Sequence, residues 1–315
     1  MTSEEVVAAL RWEELGAKPL GIGWKSERLD SLIALVTITG RDGQGDVIVK
    51  QHRPETDAQR SAGLRARYEY DVLRALRDVD PAFSVPRPLL VDEPLGAIVI
   101  ERACGRALDE LIREGKRSNA GAERLVPFLR RAGRWLRLMQ THTRTTDDPA
   151  PLLENILDRA RHDLDTLTQT DWLIRWRRKR IANALESLAR RVTSGVTGHH
   201  GDYWPGNIFL DDTRVEVIDF EGYRLGLPLE DVAYFLVQLD LLFPRFRRRL
   251  PRLRQAFLDG YFGGAAPDED ALRLFTLTKT LYALARAPGA AHVLPLRLWI
   301  RHMQRRIVLH AAHSE

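Results

Sequence analysis

"HHGDYWPGNIFL", residues 199–210, places two histidines, an aspartate and an asparagine within twelve positions. Those types suit three chemistries: a metal held by the histidine pair, a nucleophile served by His200, or Asp202 and Asn207 acting together on a phosphate. Adjacent side chains such as His199 and His200 point to opposite faces of a strand and diverge on a helix. Zinc motifs instead bring two rings together, as at i and i+4. A hydrolase needs a nucleophile beside its histidine, and the chain has no G-x-S-x-G elbow. The spacing therefore favours neither the metal nor the hydrolase, and the bland reading of each histidine is a loop side chain that satisfies backbone groups.

The third chemistry gains support from the adjoining segment, "DDTRVEVIDFEG" (211–222). Pro205 and Gly206 let the loop after Asp202 turn sharply. "NIFL" and "VEVID" bracket "DDTR" in the pattern of a short hairpin. If Leu210 pairs with Glu216, Asn207 stands opposite Asp219 on one face. An amide oxygen and a carboxylate are hard ligands suited to Mg²⁺ on a nucleotide. Asp202, at the mouth of the same loop, is placed to orient or deprotonate a substrate hydroxyl. Phosphoryl transfer asks little covalent chemistry of a protein, since positioning and charge neutralisation dominate. Each carboxylate alone reads as a loop cap or a surface charge; their ordered combination favours a phosphate site.

The elements that must position these residues fall into three zones. Up to about residue 100 the chain carries short β-branched runs, "LIALVTIT" (32–39), "DVIVK" (46–50) and "GAIVI" (96–100), the first two joined by the glycine-rich "GRDGQGD". Leu64, Tyr68, Val72, Leu73 and Leu76 in "SAGLRARYEYDVLRALRDV" (61–79) share a helical face, and Pro81, Pro86 and Pro88 end that helix. This order predicts a small antiparallel sheet carrying one helix. From about 104 to 196 the periodicity is helical, in "AERLVPFLRRAGRWLRLMQTH", where a proline weakens the early turns, and in "WLIRWRRKRIANALESLARRV". The last zone opens with the quoted segment and ends in helices such as "LEDVAYFLVQLDLLF" and "LRLWIRHMQRRIVLHAAH". The boundary between lobes is expected near residues 100–105, giving an N-terminal part of 1–100 and a C-terminal part of 101–315.

Composition bounds the reading. Hydrophobic residues make up 44% and charged residues 29% of 315, which suits a soluble globular protein and argues against disorder. The single cysteine, Cys104, rules out an intramolecular disulfide and a cysteine-rich metal cage. "MTSEEVVAALRWEELG" does not read as a signal peptide, and no apolar stretch nears about twenty residues, so the expected address is cytoplasmic. The net charge of +5 concentrates in "RWRRKR" (175–180) and "RFRRRLPRLR" (245–254). Such runs attract phosphates, nucleic acid or anionic lipid. Neither sits in a recognisable nucleic-acid module, and a solvated helix face is the first reading.

"HGDYWPGN" followed by "VIDFEG" resembles the aminoglycoside phosphotransferase and choline kinase-like family, a branch of the protein-kinase-like fold. "VIVK" resembles the family's phosphate-binding strand, "RYEYDVLRAL" its following helix, "VPRPLLVDEPLGAIVIERACGRAL" the run into the interlobe hinge, and "GLPLEDVAYFL" the segment after the metal-binding aspartate. The matches span roughly residues 47 to 236 in order. The resemblance implies an α+β, bilobal protein-kinase-like fold, with a small antiparallel-sheet N-lobe bearing one helix and a larger, mainly helical C-lobe. It implies ATP and Mg²⁺ as cofactors, with Asp202 the catalytic aspartate, Asn207 and Asp219 the metal ligands, and Lys50 on the α/β-phosphates with Glu69 as its ion-pair partner. Backbone groups of Glu101 and Ala103 would meet the adenine, with Cys104 packing nearby, and His200 would brace the catalytic loop. Trp204 reads first as a core aromatic and second as a wall of the substrate pocket, while His199 and Tyr203 take no role. Gly201 stands where protein kinases carry an arginine, and no A-P-E segment is present after Asp219, so the resemblance points to a small-molecule kinase. "GIG" (21–23) does not form G-x-G-x-x-G, so no nucleotide contact before Lys50 is implied.

The acceptor is a small hydroxyl compound whose identity stays open. Polycationic aminoglycosides favour carboxylate-lined pockets; acidic residues stand at Glu221, Glu230, Asp231 and in "APDEDAL", yet the C-terminal region is crowded with arginine. Sugars, amino alcohols, nucleosides and anionic metabolites all remain. Two other classes compete with a small-molecule kinase. One is a kinase-fold binding protein without transferase activity. The other is a nucleic-acid or membrane-surface protein using "DWLIRWRRKR", and peripheral contact with a membrane stays open even for a kinase.

Overall fold

The structure, a computed structural model, describes residues 1–27, 31–40, 43–53, 61–77, 84–115, 118–242 and 248–286. Pro81, the start of "RFRRRLPRLR" and the helix expected in "LRLWIRHMQRRIVLHAAH" lie outside these residues. The chain divides into two compact units. One comprises residues 1–105 with 209–223; the other comprises 106–208 with the chain from 224 onward.

The first unit is built on five strands, β1 (Ala17–Glu27), β2 (Ser31–Gly40), β3 (Gly43–His52), β4 (Pro88–Asp92) and β5 (Ala97–Glu101), in the order β1-β2-β3-β5-β4. Every neighbouring pair is antiparallel. Alternation along β3 sends Val47 and Val49 into a cluster with Leu32, Ala34, Val36 and Val99. Lys50 and His52, two residues apart, share the opposite face. Helix α1 (Ser3–Ala9), begun by a Thr2–Glu5 capping box, adds Val6 and Val7 to that cluster. The β2–β3 hairpin and the later helix, α2 (Ala62–Arg77), match the predicted elements, and Val72, Leu73 and Leu76 are buried as expected, but Leu64, expected on the same face, is exposed. Strand β1 matches no predicted element. Most of its residues are exposed, so "AKPLGIGWKSE" lacks the alternation that announces a half-buried strand, and pairing with β2 alone defines it. Gly105 has φ +83, and a Cβ there would run into the Leu210 carbonyl, so this close approach of residues 209–223 requires glycine.

The second unit is mainly helical: α3 (Leu108–Gly115), α4 (Asn119–His142), α5 (Ala150–Thr170), α6 (Trp172–Ala189), α7 (Leu229–Leu242), α8 (Leu250–Phe262) and α9 (Glu269–Ala285). Helices α5, α6 and α9 share one apolar cluster, which includes Leu164, Ile181, Leu185, Leu277 and Leu281. Helix α4 runs straight through Pro127, with Ser118 capping its start and Leu125, Leu129 and Leu136 buried, so tertiary burial offsets the local cost of proline. Gly133 and Gly260 let α4 and α8 touch backbone to backbone. The "RWRRKR" run winds around α6: Arg175, Trp176, Arg178 and Lys179 are exposed and Arg177 and Arg180 half-buried, with Arg178 on Asp165 and Arg175 on the carbonyls of Thr168 and Gln169. Among the described residues no helix is long and apolar enough to cross a membrane.

Candidate active site

In the first unit three short-range periodicities deliver six charged side chains to one place. The strand period of two supplies Lys50 and His52 from β3. One helical turn supplies Arg65 and Glu69 from α2, at i and i+4. The stretch after Val217 supplies Asp219 and Glu221. Lys50 Nζ donates to Glu69 Oε2 at 2.9 Å and to Asp219 Oδ1 at 2.6 Å, with Glu221 Oε2 at 3.5 Å. The ring nitrogens of His52 face Glu69 at 3.1 Å and Glu221 at 3.3 Å, and Arg65 Nη1 donates to Glu221 Oε1 at 2.8 Å.

Burial alone would strip the proton from Lys50, but Glu69, Asp219 and Glu221 outweigh it and hold the ammonium well above its ordinary range. Burial likewise opposes charge on His52, yet Glu221 and Glu69 raise it. Glu69 is driven well below the usual carboxylate range, because Lys50 and His52 overcome its burial. Glu221 falls to about 2 in the same way, with His52 and Lys50 the main stabilisers.

Asp219 occupies the left-handed region, φ 70 and ψ 64, the one non-glycine residue to do so among those described. That conformation costs an L-residue roughly 1–2 kcal/mol, least for Asp and Asn, and it is characteristic of sites where a side chain must be aimed. These backbones correct the idea that the hairpin ladder, with Leu210 opposite Glu216, extends to bring Asn207 opposite Asp219. The strands are only Ile208–Leu210 and Val215–Val217; Asn207 closes a 3₁₀ turn (Pro205–Asn207), and Asp219 begins another (Phe220–Gly222). Glu216 is buried and accepts from Cys104 N–H at 2.8 Å and Ser84 Oγ at 3.1 Å. Glu101 ends β5, and its backbone N–H is committed to Arg87 O at 2.9 Å, so that donor is used inside the sheet; Ala103 stands two residues later, beyond the strand.

In the second unit the loop around Asp202 is held by hydrogen bonds of a different kind. Asp202 Oδ1 accepts from Tyr234 OH at 2.9 Å and Oδ2 from Asn207 Nδ2 at 3.1 Å; the same amide also donates to Asp202 O at 3.0 Å. Asp202 N–H donates to His200 Nδ1 at 3.2 Å. The fully buried Asp231 of α7 accepts the backbone N–H groups of His200 (2.8 Å) and Gly201 (3.1 Å), the latter at φ 87. His199 lies against Asp231 at 3.1 Å. Burial pushes the Asp231 carboxyl up to about 7, resisted by those two N–H groups, while burial drives His199 well below its ordinary value. Tyr203 is fully buried, donates to Ala132 O at 2.8 Å and stacks on Trp135 with centroids 5.8 Å apart.

The structure thus brings together Lys50, Glu69 and Asp219 in one unit and Asp202 with Asn207 in the other. The sequence reading did not find His52, Arg65, Tyr203, Tyr234 or the loop-tying role of Asp231. Two signals were available: the strand period from Lys50 to His52, and the helical turns from Glu69 back to Arg65 and from Glu230 on to Tyr234. The acidic residues expected to serve a cationic acceptor are committed elsewhere. Glu221 belongs to the Lys50 cluster, Asp231 to the loop backbone, and buried Glu230 to Lys279 Nζ at 2.9 Å and Arg224 Nη2 at 3.7 Å. Burial would raise the Glu230 carboxyl, but the surrounding positive charge holds it down, at about 2.

Asp202 borders a cavity of about 330 Å³ in the second unit, lined by Gly201, Arg224 and side chains of α5, α7 and α9. That volume falls at the lower end of small-molecule sites, about 300–1,000 Å³. Among the described residues no three His, Cys, Asp or Glu side chains gather as a metal-binding group. Mg²⁺ held by one or two protein oxygens together with phosphate needs no such group, and the carboxylate of Asp219 and the amide oxygen of Asn207 are of the hard type it takes.

Residues 34–275 match the phosphotransferase enzyme family, and the chain belongs to it. Its fold is α+β and protein-kinase-like. Solved structures of the same fold include a thermostable mutant of aminoglycoside phosphotransferase APH(4)-Ia in ternary complex with AMP-PNP and hygromycin B. It is 16% identical, with a TM-score of 0.63 and coverage of 99% of this chain and 98% of that one. A choline kinase from Cryptosporidium parvum is 11% identical, with a TM-score of 0.61 and coverage of 99% and 96%. A glucosamine kinase in complex with glucosamine, ADP and inorganic phosphate is 15% identical, with a TM-score of 0.54 and coverage of 99% and 98%. No curated protein matches the chain in sequence.

Proposed function

We propose that this phosphotransferase moves the γ-phosphate of ATP to a hydroxyl group of a small molecule, with Mg²⁺ as cofactor and a cytoplasmic address. The observation that carries this reading is the setting of Asp202. Its carboxylate borders a cavity of small-molecule size, and both its oxygens are fixed by neutral donors, Tyr234 OH and Asn207 Nδ2. Among the described residues no cation lies within ion-pair distance of it. A carboxylate held in this way is not paired with a cation and stays open to an acceptor hydroxyl.

Asp202 accepts a hydrogen bond from that hydroxyl and aligns its oxygen. As the new O–P bond forms and the bond from the γ-phosphorus to the ADP oxygen breaks, the hydroxyl proton passes to the carboxylate. Lys50 contacts the α/β-phosphates, with Glu69 fixing its position. Adenine is received at the strand end near Glu101 and Ala103, where the engaged N–H of Glu101 leaves the other backbone groups of this stretch to read the base. By the family resemblance Asp219 and Asn207 are each assigned as a Mg²⁺ ligand, residue by residue. When bound, Mg²⁺ neutralises charge on the phosphate oxygens. The AMP-PNP and ADP in the complexes of the two structural neighbours support a nucleotide donor.

The test is product analysis: purified protein, ATP, Mg²⁺ and a metabolite library, read by mass for products heavier by one phosphoryl group. A phosphorylated hydroxyl compound is expected. An Asp219→Ala protein that transfers phosphate at the wild-type rate overturns the metal assignment. Nucleotide binding with no product from any hydroxyl compound favours the non-catalytic binding protein instead.

A further inference from the structure

The cavity beside Asp202 is lined by three carboxylates and three cations: Asp163, Asp202 and Glu230 against Arg159, Arg224 and Lys279. The two signs are not equally available. Asp163 is buried and accepts from Arg286 Nη1 at 3.0 Å, and Glu230 is buried on Lys279 and Arg224. An incoming ammonium would have to compete for either carboxylate with the cation already seated on it, Arg286 on Asp163 and Lys279 with Arg224 on Glu230. The aromatic wall is also engaged, since the Arg286 guanidinium lies 3.7 Å from the Tyr282 ring centroid, where a substrate ammonium would otherwise stack.

The positive side has a surplus. Arg159 is exposed, and its Nε donates to the Asn155 carbonyl one turn back on α5 at 3.1 Å. Among the described residues no carboxylate lies within ion-pair distance of its guanidinium. Apart from Asp202, whose oxygens are held by neutral donors, the cavity therefore offers a ligand a positive field.

We propose that the acceptor bound in this cavity is a small hydroxyl compound carrying an anionic group, a carboxylate or a phosphate monoester, received by Arg159 while its hydroxyl faces Asp202. This rests on the reading of Asp202 as the acceptor-binding carboxylate. It separates the protein by acceptor charge from enzymes acting on polycationic antibiotics or quaternary amines.

The experiment uses the full-length protein and size-matched panels: hydroxy acids, sugar phosphates, neutral sugars and polyols, and aminoglycosides with amino alcohols. Phosphoryl transfer from Mg-ATP is read by product mass. Binding of the same compounds without nucleotide is read by calorimetry, for wild type, Arg159→Ala and Arg159→Lys. The expected result is a hydroxy acid or a sugar phosphate as the best acceptor, the two panels telling carboxylate from phosphate. Loss of the Arg159 charge should raise its KM by about tenfold or more, the worth of a charge-assisted hydrogen bond, with kcat little changed and partial recovery in the lysine variant. A neutral or cationic compound as the best acceptor overturns the charge class and leaves the kinase reading standing. Saturable, Arg159-dependent binding of an anionic compound that is never phosphorylated upholds the charge class and overturns the kinase reading. If no anionic compound binds, or Arg159→Ala binds as well as wild type, the inference fails.

Discussion

The two units fix their key side chains by opposite means. Around Lys50 the partners are ionisable groups of both signs, Lys50, Arg65 and the ring of His52 against three carboxylates, half-buried or buried. Around the Asp202 carboxylate they are neutral dipoles, a phenol and an amide, while the backbone N–H groups of His200 and Gly201 beside it are tied to the buried Asp231. The contrast suits the two roles proposed for Lys50 and Asp202. A cation that meets polyanionic phosphates must be positioned without being lost to solvent, and matching carboxylates hold it by strong, directional attraction. A carboxylate that accepts a proton would be compromised by a neighbouring cation, so it is steered by donors that carry no net charge.

The largest effect should come from replacing Asp202 itself. Asp202→Asn keeps the shape and the Tyr234 contact but removes the proton acceptor, and should slow phosphoryl transfer by about 10²–10⁴-fold. The melting temperature should barely move. A variant that lost stability in proportion to rate would erase the proposed distinction between the units.

Next is Glu69→Leu, which leaves Lys50 and His52 facing one another with their shared carboxylate gone. Breaking a buried pair this way costs about 3–5 kcal/mol, measured as a drop in the urea midpoint with an unchanged slope. A smaller loss is expected of Tyr203→Phe, which removes the hydroxyl's hydrogen bond to the Ala132 carbonyl of α4 in the core of the second unit. It should amount to about 0.5–1.5 kcal/mol, and because it concerns a neutral hydrogen bond, added salt should leave it unaltered.

The gentlest probe is pH. Glu69 and Glu221 titrate lower in the folded chain than their ordinary 4.5. Their stabilisation is therefore fully present above 4.5 and is lost as pH falls from 4.5 towards about 2. His52 titrates above its ordinary 6.5, so its contribution is full below 6.5 and fades as pH rises through the higher folded value. Stability from the first unit should peak between those limits, and His52→Gln should flatten the alkaline side when unfolding is followed across pH.

Much of this was readable in the chain. The hairpin of β-branched runs, the helix with Glu69 and the "HGDYWPGN…VIDFEG" spacing sufficed to suggest the fold, because each is a local pattern with its own period. What escaped is what depends on convergence. Lys50, Arg65 and Glu221 meet only after a strand, a helix and a distant turn are placed against one another, and no window of sequence contains all three. Tyr203 reads as one aromatic among many until its hydroxyl finds Ala132. The short strands next to Asn207 and Asp219 misled for a related reason. Alternation continues past Val217 in "VEVID", but the chain leaves the ladder there to aim Asp219 through a left-handed conformation.

One consequence concerns the order of synthesis. The first unit draws its last piece, residues 209–223, from far along the chain. When residue 105 leaves the ribosome, Lys50, His52 and Arg65 have only Glu69 as a carboxylate partner within their cluster. Asp219 and Glu221 arrive more than a hundred residues later, several seconds to tens of seconds at roughly 5–20 residues per second. For that interval the sheet carries an excess of positive charge on one face. The N-terminal unit is therefore a structure completed from behind, and a chain cut after residue 105 should stay as unbalanced as the nascent one.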